Sequence, residues 1–233
     1  MLLAWAYLLS GAAVDMRMAG MAMEPVAWTP PYALLMFVMW WIMMVAMMLP
    51  GAAPMVLLFI TIKRRQDAST SSVLGAGIFV IAYLLVWGAF SLVATLAQWG
   101  LEQSRLVSMG MTSPGSAFAG IIMLLSGLYQ FTPLKALCLR YCQNPILFLS
   151  SHWRSGVAGA IRMGVVHGAY CTGCCWFLMA LLFVGGIMNP VWIAAIAVYV
   201  ALEKVVLATS PWLRLATGAA LTSIGAFVLI RTI

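Results

Sequence analysis

Arg162-Met163-Gly164-Val165-Val166-His167-Gly168-Ala169-Tyr170-Cys171-Thr172-Gly173-Cys174-Cys175-Trp176 lies inside an apolar run near residues 160–184. A run of that length is enough to cross a bilayer as a helix. Lipid offers no partner to backbone N–H and C=O groups, so a spanning segment must satisfy them internally, and a helix does so. A helix turns roughly 100° per residue. His167, Cys171 and Cys174 therefore share one stripe, about one turn apart, with Cys175 at its edge. Met163 extends the stripe by one turn. Imidazole, thiol and thioether groups thus line one face of one hydrophobic rod. Ionisable side chains at that depth are costly, which makes function the default reading. Gly164, Gly168 and Gly173 thin the rod and let another helix approach closely.

The rest of the chain agrees with a membrane setting. It has 233 residues, of which 65% are hydrophobic and 7% charged, and its mean hydropathy is +1.07. No water-soluble domain of this length has that composition. Apolar runs near 1–14, 32–60, 73–98, 116–135, 160–184, 190–207 and 212–231 predict six or seven spans. The expected fold is all-α, a polytopic transmembrane helical bundle, with residues 1–233 as one integral membrane domain. Alternating strand patterns of a β-barrel are absent from the sequence. The first run, 1–14, lacks a basic leading region and a small-residue cleavage site, so it reads as a short membrane helix rather than a signal peptide.

The formal charge of +7 is a topology signal and not a nucleic-acid footprint, because Lys and Arg fall between apolar runs. Lys63, Arg64, Arg65, Lys135, Arg140, Arg154, Arg162, Lys204 and Arg214 fall on one side, and Arg17, Arg105 and Arg231 on the other. That bias predicts a multi-pass protein of a bacterial inner membrane, with the lipid bilayer as its first partner and its N-terminus inside. Five Cys without a disulfide-framework spacing point away from a small secreted scaffold.

Sulfur recurs elsewhere. The second run carries Met36, Met39, Met43, Met44, Met47 and Met48. Met36, Met39, Met43 and Met47 recur at helical spacing and reach the depth of Cys171–Cys175. Thiolate and thioether select Cu(I), whereas thioethers are poor ligands for zinc. Copper is therefore expected before zinc or iron. Core packing by methionine is the plain alternative. Adjacent Cys174 and Cys175 point about 100° apart, so a regular helix does not easily bring both to one ion. Cys171 and Cys174 can share one. Cys175 is left to bind a second ion, to bridge, or to face a neighbouring helix.

Asp15–Glu24 spaces Met16, Met18, Met21 and Met23 every two or three residues on the outer side, with Met109 and Met111 on the next outer loop. Such a segment suits either transient capture of a soft ion or an interfacial helix. On the inner side, Cys138 and Cys142 stand at i and i+4, one above the other on a helix. Lys135 and Arg140 beside them favour thiolate, which fits a second metal site or a redox pair. Pro50 and Pro54 predict either a broken helix lining a cavity or an ordinary kink. Glu203-Lys204 reads as an interfacial ion pair with Lys204 snorkelling, or with Glu203 orienting His167.

These stretches resemble the predicted metal-binding integral membrane proteins, a bacterial family of unknown function sometimes labelled copper chaperone. The resemblance is carried by Met43-Met44-Val45-Ala46-Met47-Met48-Leu49-Pro50, by Tyr129-Gln130-Phe131-Thr132-Pro133-Leu134-Lys135 with Cys138 and Cys142, by Gly164–Trp176, by Gly186-Ile187-Met188-Asn189 and by Glu203-Lys204. It implies an integral membrane protein that binds metal, without a settled activity.

The expected role is Cu(I) binding within the bundle, for delivery to a membrane oxidase or another metalloprotein, for storage, or for passage across the bilayer. No phosphate-binding loop ending in Lys-Ser/Thr is present, so the chain carries no ATPase of its own. Two other roles stay open: a membrane thiol-disulfide oxidoreductase, and an accessory subunit of a larger membrane complex. An oligomer is compatible with either.

Overall fold

The structure is a computed structural model that describes residues 28–66, 71–104, 116–206 and 211–232. The expected span 1–14, the outer methionines of Asp15–Glu24, and Met109 and Met111 lie outside the described residues. All regular structure among the described residues is helical. In chain order the helices are α1 (Pro30–Gln66), α2 (Ser71–Gln103), α3 (Ser116–Gln130), α4 (Pro133–Gln143), α5 (Pro145–His152), α6 (Gly156–Ala180), α7 (Leu182–Gly185), α8 (Pro190–Ala201) and α9 (Trp212–Thr232). A π-helical turn, Leu202–Val206, extends α8.

Four segments are long and apolar enough to cross a membrane: Pro30–Arg65, Val73–Gln103, Gly156–Gly185 and Trp212–Thr232. A fifth exists if Ala117–Gln130 and Pro133–Gln143, bent by 67°, form one span. The expected count of six or seven is therefore not reached among the described residues. Two breaks explain the difference. The run expected over 116–135 stops at Gln130, where Phe131 N–H bonds Leu128 C=O (3.1 Å) and Thr132 N–H bonds Tyr129 C=O (3.1 Å) in tightened turns. Pro133 has no N–H to continue the ladder and disfavours helix at Thr132. Thr132 instead caps α4, its hydroxyl accepting from Lys135 N–H at 3.3 Å. The run expected over 190–207 is 12 residues of α-helix followed by the π turn.

Asn144 and Asn189 cap α5 and α8 in the same manner, each followed by a proline at the first helical position. That pairing suits a helix start, since the missing proline N–H would have had no partner there. Pro50 and Pro54 do not interrupt α1, which is helical from end to end.

The outward faces are apolar. Leu34, Leu57, Ile81, Leu85, Val93 and Ile224 are all exposed. Exposed apolar area on this scale marks a surface meant for lipid or for another protein. Inside, α6 is central. It packs against α2 on one side and α4 on the other, and α1 packs on α2. Gly164 lies over Phe79 and Ala82 of α2, and Gly168 over Val86, so side chains there would collide with the neighbour. At the periphery, α3 and α9 meet through Gly120, Gly127, Gly218 and Gly225.

Candidate metal centre

Two interior regions share α6. The first holds Met163 and His167. His167 is buried and stacks on Tyr83 (ring centroids 5.6 Å, 29° between planes). Phe79 lies at 6.0 Å and Phe148 meets its ring edge-on at 5.2 Å. Nδ1 of His167 has no hydrogen-bond partner. A buried polar nitrogen normally has one. Met163 packs with Met55, Phe59, Phe79, Phe148 and Leu149. The structure thus places Met163 in an aromatic cluster and does not bring it to the cysteines.

The second region gathers sulfur. Cys171, Cys174 and Cys175 are buried, and all five cysteines are free thiols. Cys174 and Cys175 donate back to the carbonyl of Cys171, at 3.1 and 3.0 Å. Cys174 Sγ lies 3.9 Å from Cys142 Sγ of α4. Cys175 Sγ turns the other way, 4.0 Å from Met48 Sδ of α1. The 100° between adjacent residues thus divides the two thiols between two neighbouring helices. Cys138 Sγ sits over Gly173, where an added Cβ would come within 2.9 Å of it. Tyr129 O–H bonds the Gly173 carbonyl at 2.5 Å and fixes the end of α3 to this segment.

Cys138 and Cys142 do stand one above the other on α4. The bend at Phe131–Thr132 lays α4 along α6, so that Cys142 lies beside Cys174 and Cys138 over Gly173. Met36, Met39, Met43, Met44, Met47 and Met48 are all fully buried on α1, in the same core as these cysteines. Met48 is the member whose sulfur meets a thiol. Among the described residues no three imidazole, thiol or carboxylate groups converge on a common point. The sulfurs meet in pairs.

Two lysines complete the region, and the sequence pattern did not place them there. Lys204 Nζ donates to Cys171 Sγ at 2.9 Å and lies 3.8 Å from both Cys175 Sγ and Met48 Sδ. Its stem passes Gly51 of α1, where a Cβ would sit 3.4 Å from Lys204 Cδ. Tyr83 O–H reaches the same thiol, 3.1 Å from Cys171 Sγ, and can donate to the Met48 carbonyl at 3.3 Å. Its single proton serves one of them at a time.

Glu203 does not pair with Lys204 and does not orient His167. It bonds Lys135 at 2.8 and 3.0 Å, with both side chains buried. Gln143 holds the Glu203 backbone carbonyl at 2.8 Å. Neighbours in a helical turn point about 100° apart, so Glu203 faces α4 while Lys204 faces α6 and α1. Lys135 and Lys204 are thus interior groups rather than topology markers. The remaining seven cationic residues of the expected inner side keep the bias against three. The signal available in the sequence was a Glu-Lys pair closing an apolar run, since charges there are seldom left exposed to lipid.

The fold and site together define a class: an all-helical, largely apolar bundle with a buried thiol and thioether cluster bordered by an ammonium group. The chain belongs to the family described as copper chaperone, whose match covers residues 37–228. That interval contains all five cysteines, Met48 and both lysines. No curated protein and no solved structure matches the chain significantly.

Proposed function

We propose that this protein is an integral membrane Cu(I) carrier of the bacterial inner membrane, which takes up the ion as cargo in the sulfur cluster and passes it to a client metalloprotein. The observation that carries this reading is the burial of paired soft donors, Cys174 with Cys142 and Cys175 with Met48, beside Cys171, within a family described as copper chaperone. Soft donors of this type favour Cu(I). Paired sulfurs suit an ion content with few ligands, whereas structural zinc is held almost always by four.

The chemistry is ligand exchange without change of oxidation state. As the ion enters, Cys174 and Cys175 release to the aqueous medium, as metal binding to thiols does, the S–H protons that they donate to the Cys171 carbonyl. Each sulfur is then free to turn from the backbone to the ion. Met48 and Cys175 form the α1 side, Cys171 the centre, and Cys174 and Cys142 the α4 side. An ion can therefore move from thioether to thiolate to thiolate with one donor always attached. Outer-loop methionines such as Met18 and Met21 supply the ion, and Cys138 with Cys142 hands it on to a membrane oxidase or another metalloprotein. His167, with Nδ1 unpartnered, is an auxiliary donor one turn from Cys171.

Elemental analysis of the protein purified from its own membrane tests the reading. Copper in stoichiometric amount, lost on chelation under reducing conditions, is expected. Stoichiometric zinc, or a titratable disulfide with no metal, would overturn it.

A further inference from the structure

We infer that Lys204 is the residue that tunes the sulfur cluster to monovalent soft cations and rejects divalent ones. The inference rests on the copper reading above and deepens it. The ammonium group is buried and lies 2.9 Å from Cys171 Sγ, and 3.8 Å from both Cys175 Sγ and Met48 Sδ. Any ion held by these sulfurs sits within a few ångströms of a fixed positive charge.

Charge balance is decisive in such a place. Ions in a low-dielectric interior are stable only when their charges are nearly matched. At a given distance the Lys204 ammonium group repels a divalent ion twice as strongly as a monovalent one, however many of the thiols ionise. The carboxylate that could offset the repulsion, Glu203, is already neutralised by Lys135 at 2.8 Å. His167, stacked between aromatic rings, adds no negative charge. The fixed charges on α4 and the π turn therefore favour one unit of positive charge over two at these sulfurs. A lysine serves better here than an arginine, whose five donors in a planar fork would need more partners than the sulfurs supply.

Ag(I) and Cd(II) are soft closed-shell ions of the same electron count and different charge, and comparing variants at Lys204 cancels their different preferences for ligand number. The experiment titrates each into the full chain in detergent under reducing conditions, for the wild type and for Lys204→Gln, Lys204→Met and Lys204→Arg. The wild type is expected to hold one Ag(I) that Cd(II) does not displace. The neutral variants are expected to gain Cd(II) affinity by about tenfold or more relative to Ag(I), and Lys204→Arg to stay near the wild-type ratio. An unchanged ratio in a folded neutral variant overturns the inference. Wild-type protein that holds Cd(II) as tightly as Ag(I) overturns it without any variant. Wild-type protein that binds neither Ag(I) nor Cu(I) overturns instead the copper reading on which it stands.

Discussion

Two halves of α6 are alike in sequence and unlike in the fold. Met163 and His167 stand on the same stripe as Cys171 and Cys174, one turn apart. Yet the first half is walled by Phe79, Phe148 and Tyr83, and the second by Cys142, Met48 and Lys204. The stripe fixes the direction of a side chain. The neighbouring helices fix what meets it, and they differ along the length of α6. A ladder of ligand-type residues is thus a sulfur and charge centre at one end and an aromatic core at the other.

The largest expected effect concerns the charge that borders the sulfur half. Lys135→Met leaves Glu203 buried without its partner, and is expected to cost about 3–5 kcal/mol of stability. Thermal unfolding in detergent measures it. Lys135→Met with Glu203→Leu should recover most of the loss, because an apolar pair can replace a buried ion pair. Failure to recover would mean that the pair has a further role at the site.

Next comes the division between the halves. Cys171→Ser with Cys174→Ser is expected to weaken Cu(I) binding by more than the roughly 10–100-fold typical of residues that only orient ligands, and to leave membrane insertion unchanged. Competition with a Cu(I) chelator reads the affinity. Retained affinity would remove the distinction between the two ends of α6.

A packing change should follow in size. Gly173→Ala puts a methyl group 2.9 Å from Cys138 Sγ, and is expected to cost roughly 1–3 kcal/mol by overpacking. The unfolding midpoint should fall accordingly. An unchanged midpoint would show that α4 can move away from α6 freely.

The smallest effects sharpen the comparison most. Met163→Leu conserves volume and should cost less than about 1.5 kcal/mol, with Cu(I) affinity unaltered. Met48→Leu is a similar change in stability but should lower Cu(I) affinity and leave folding without copper intact. Equal effects of the two substitutions on copper would place both methionines in the same role.

Much of this arrangement is readable before any coordinates. Apolar runs gave the long helices, and the 100° step gave the stripe of His167, Cys171 and Cys174. Close approach at Gly164 and Gly168 follows from the missing side chains, and the burial of the α1 methionines from their helical spacing. Other features depend on contacts between residues far apart in the chain. The bend at Phe131–Thr132 turns α4 back along α6, and only then does Cys142 lie beside Cys174 and Cys138 over Gly173. Lys135 finds Glu203 across 68 positions, and Lys204 finds Cys171 across 33. No local pattern encodes such distances. A charged pair at the end of an apolar run pointed to the interface as readily as to the interior, and the two side chains part company because adjacent residues on a helical turn face different neighbours.

X-ray absorption at the copper edge of the Cu(I)-loaded protein tests the central claim most directly. A coordination shell made of sulfur alone or dominated by it, lost from the Cys171→Ser, Cys174→Ser protein, is the predicted result. A shell of nitrogen and oxygen, or a spectrum indifferent to those two substitutions, would contradict it.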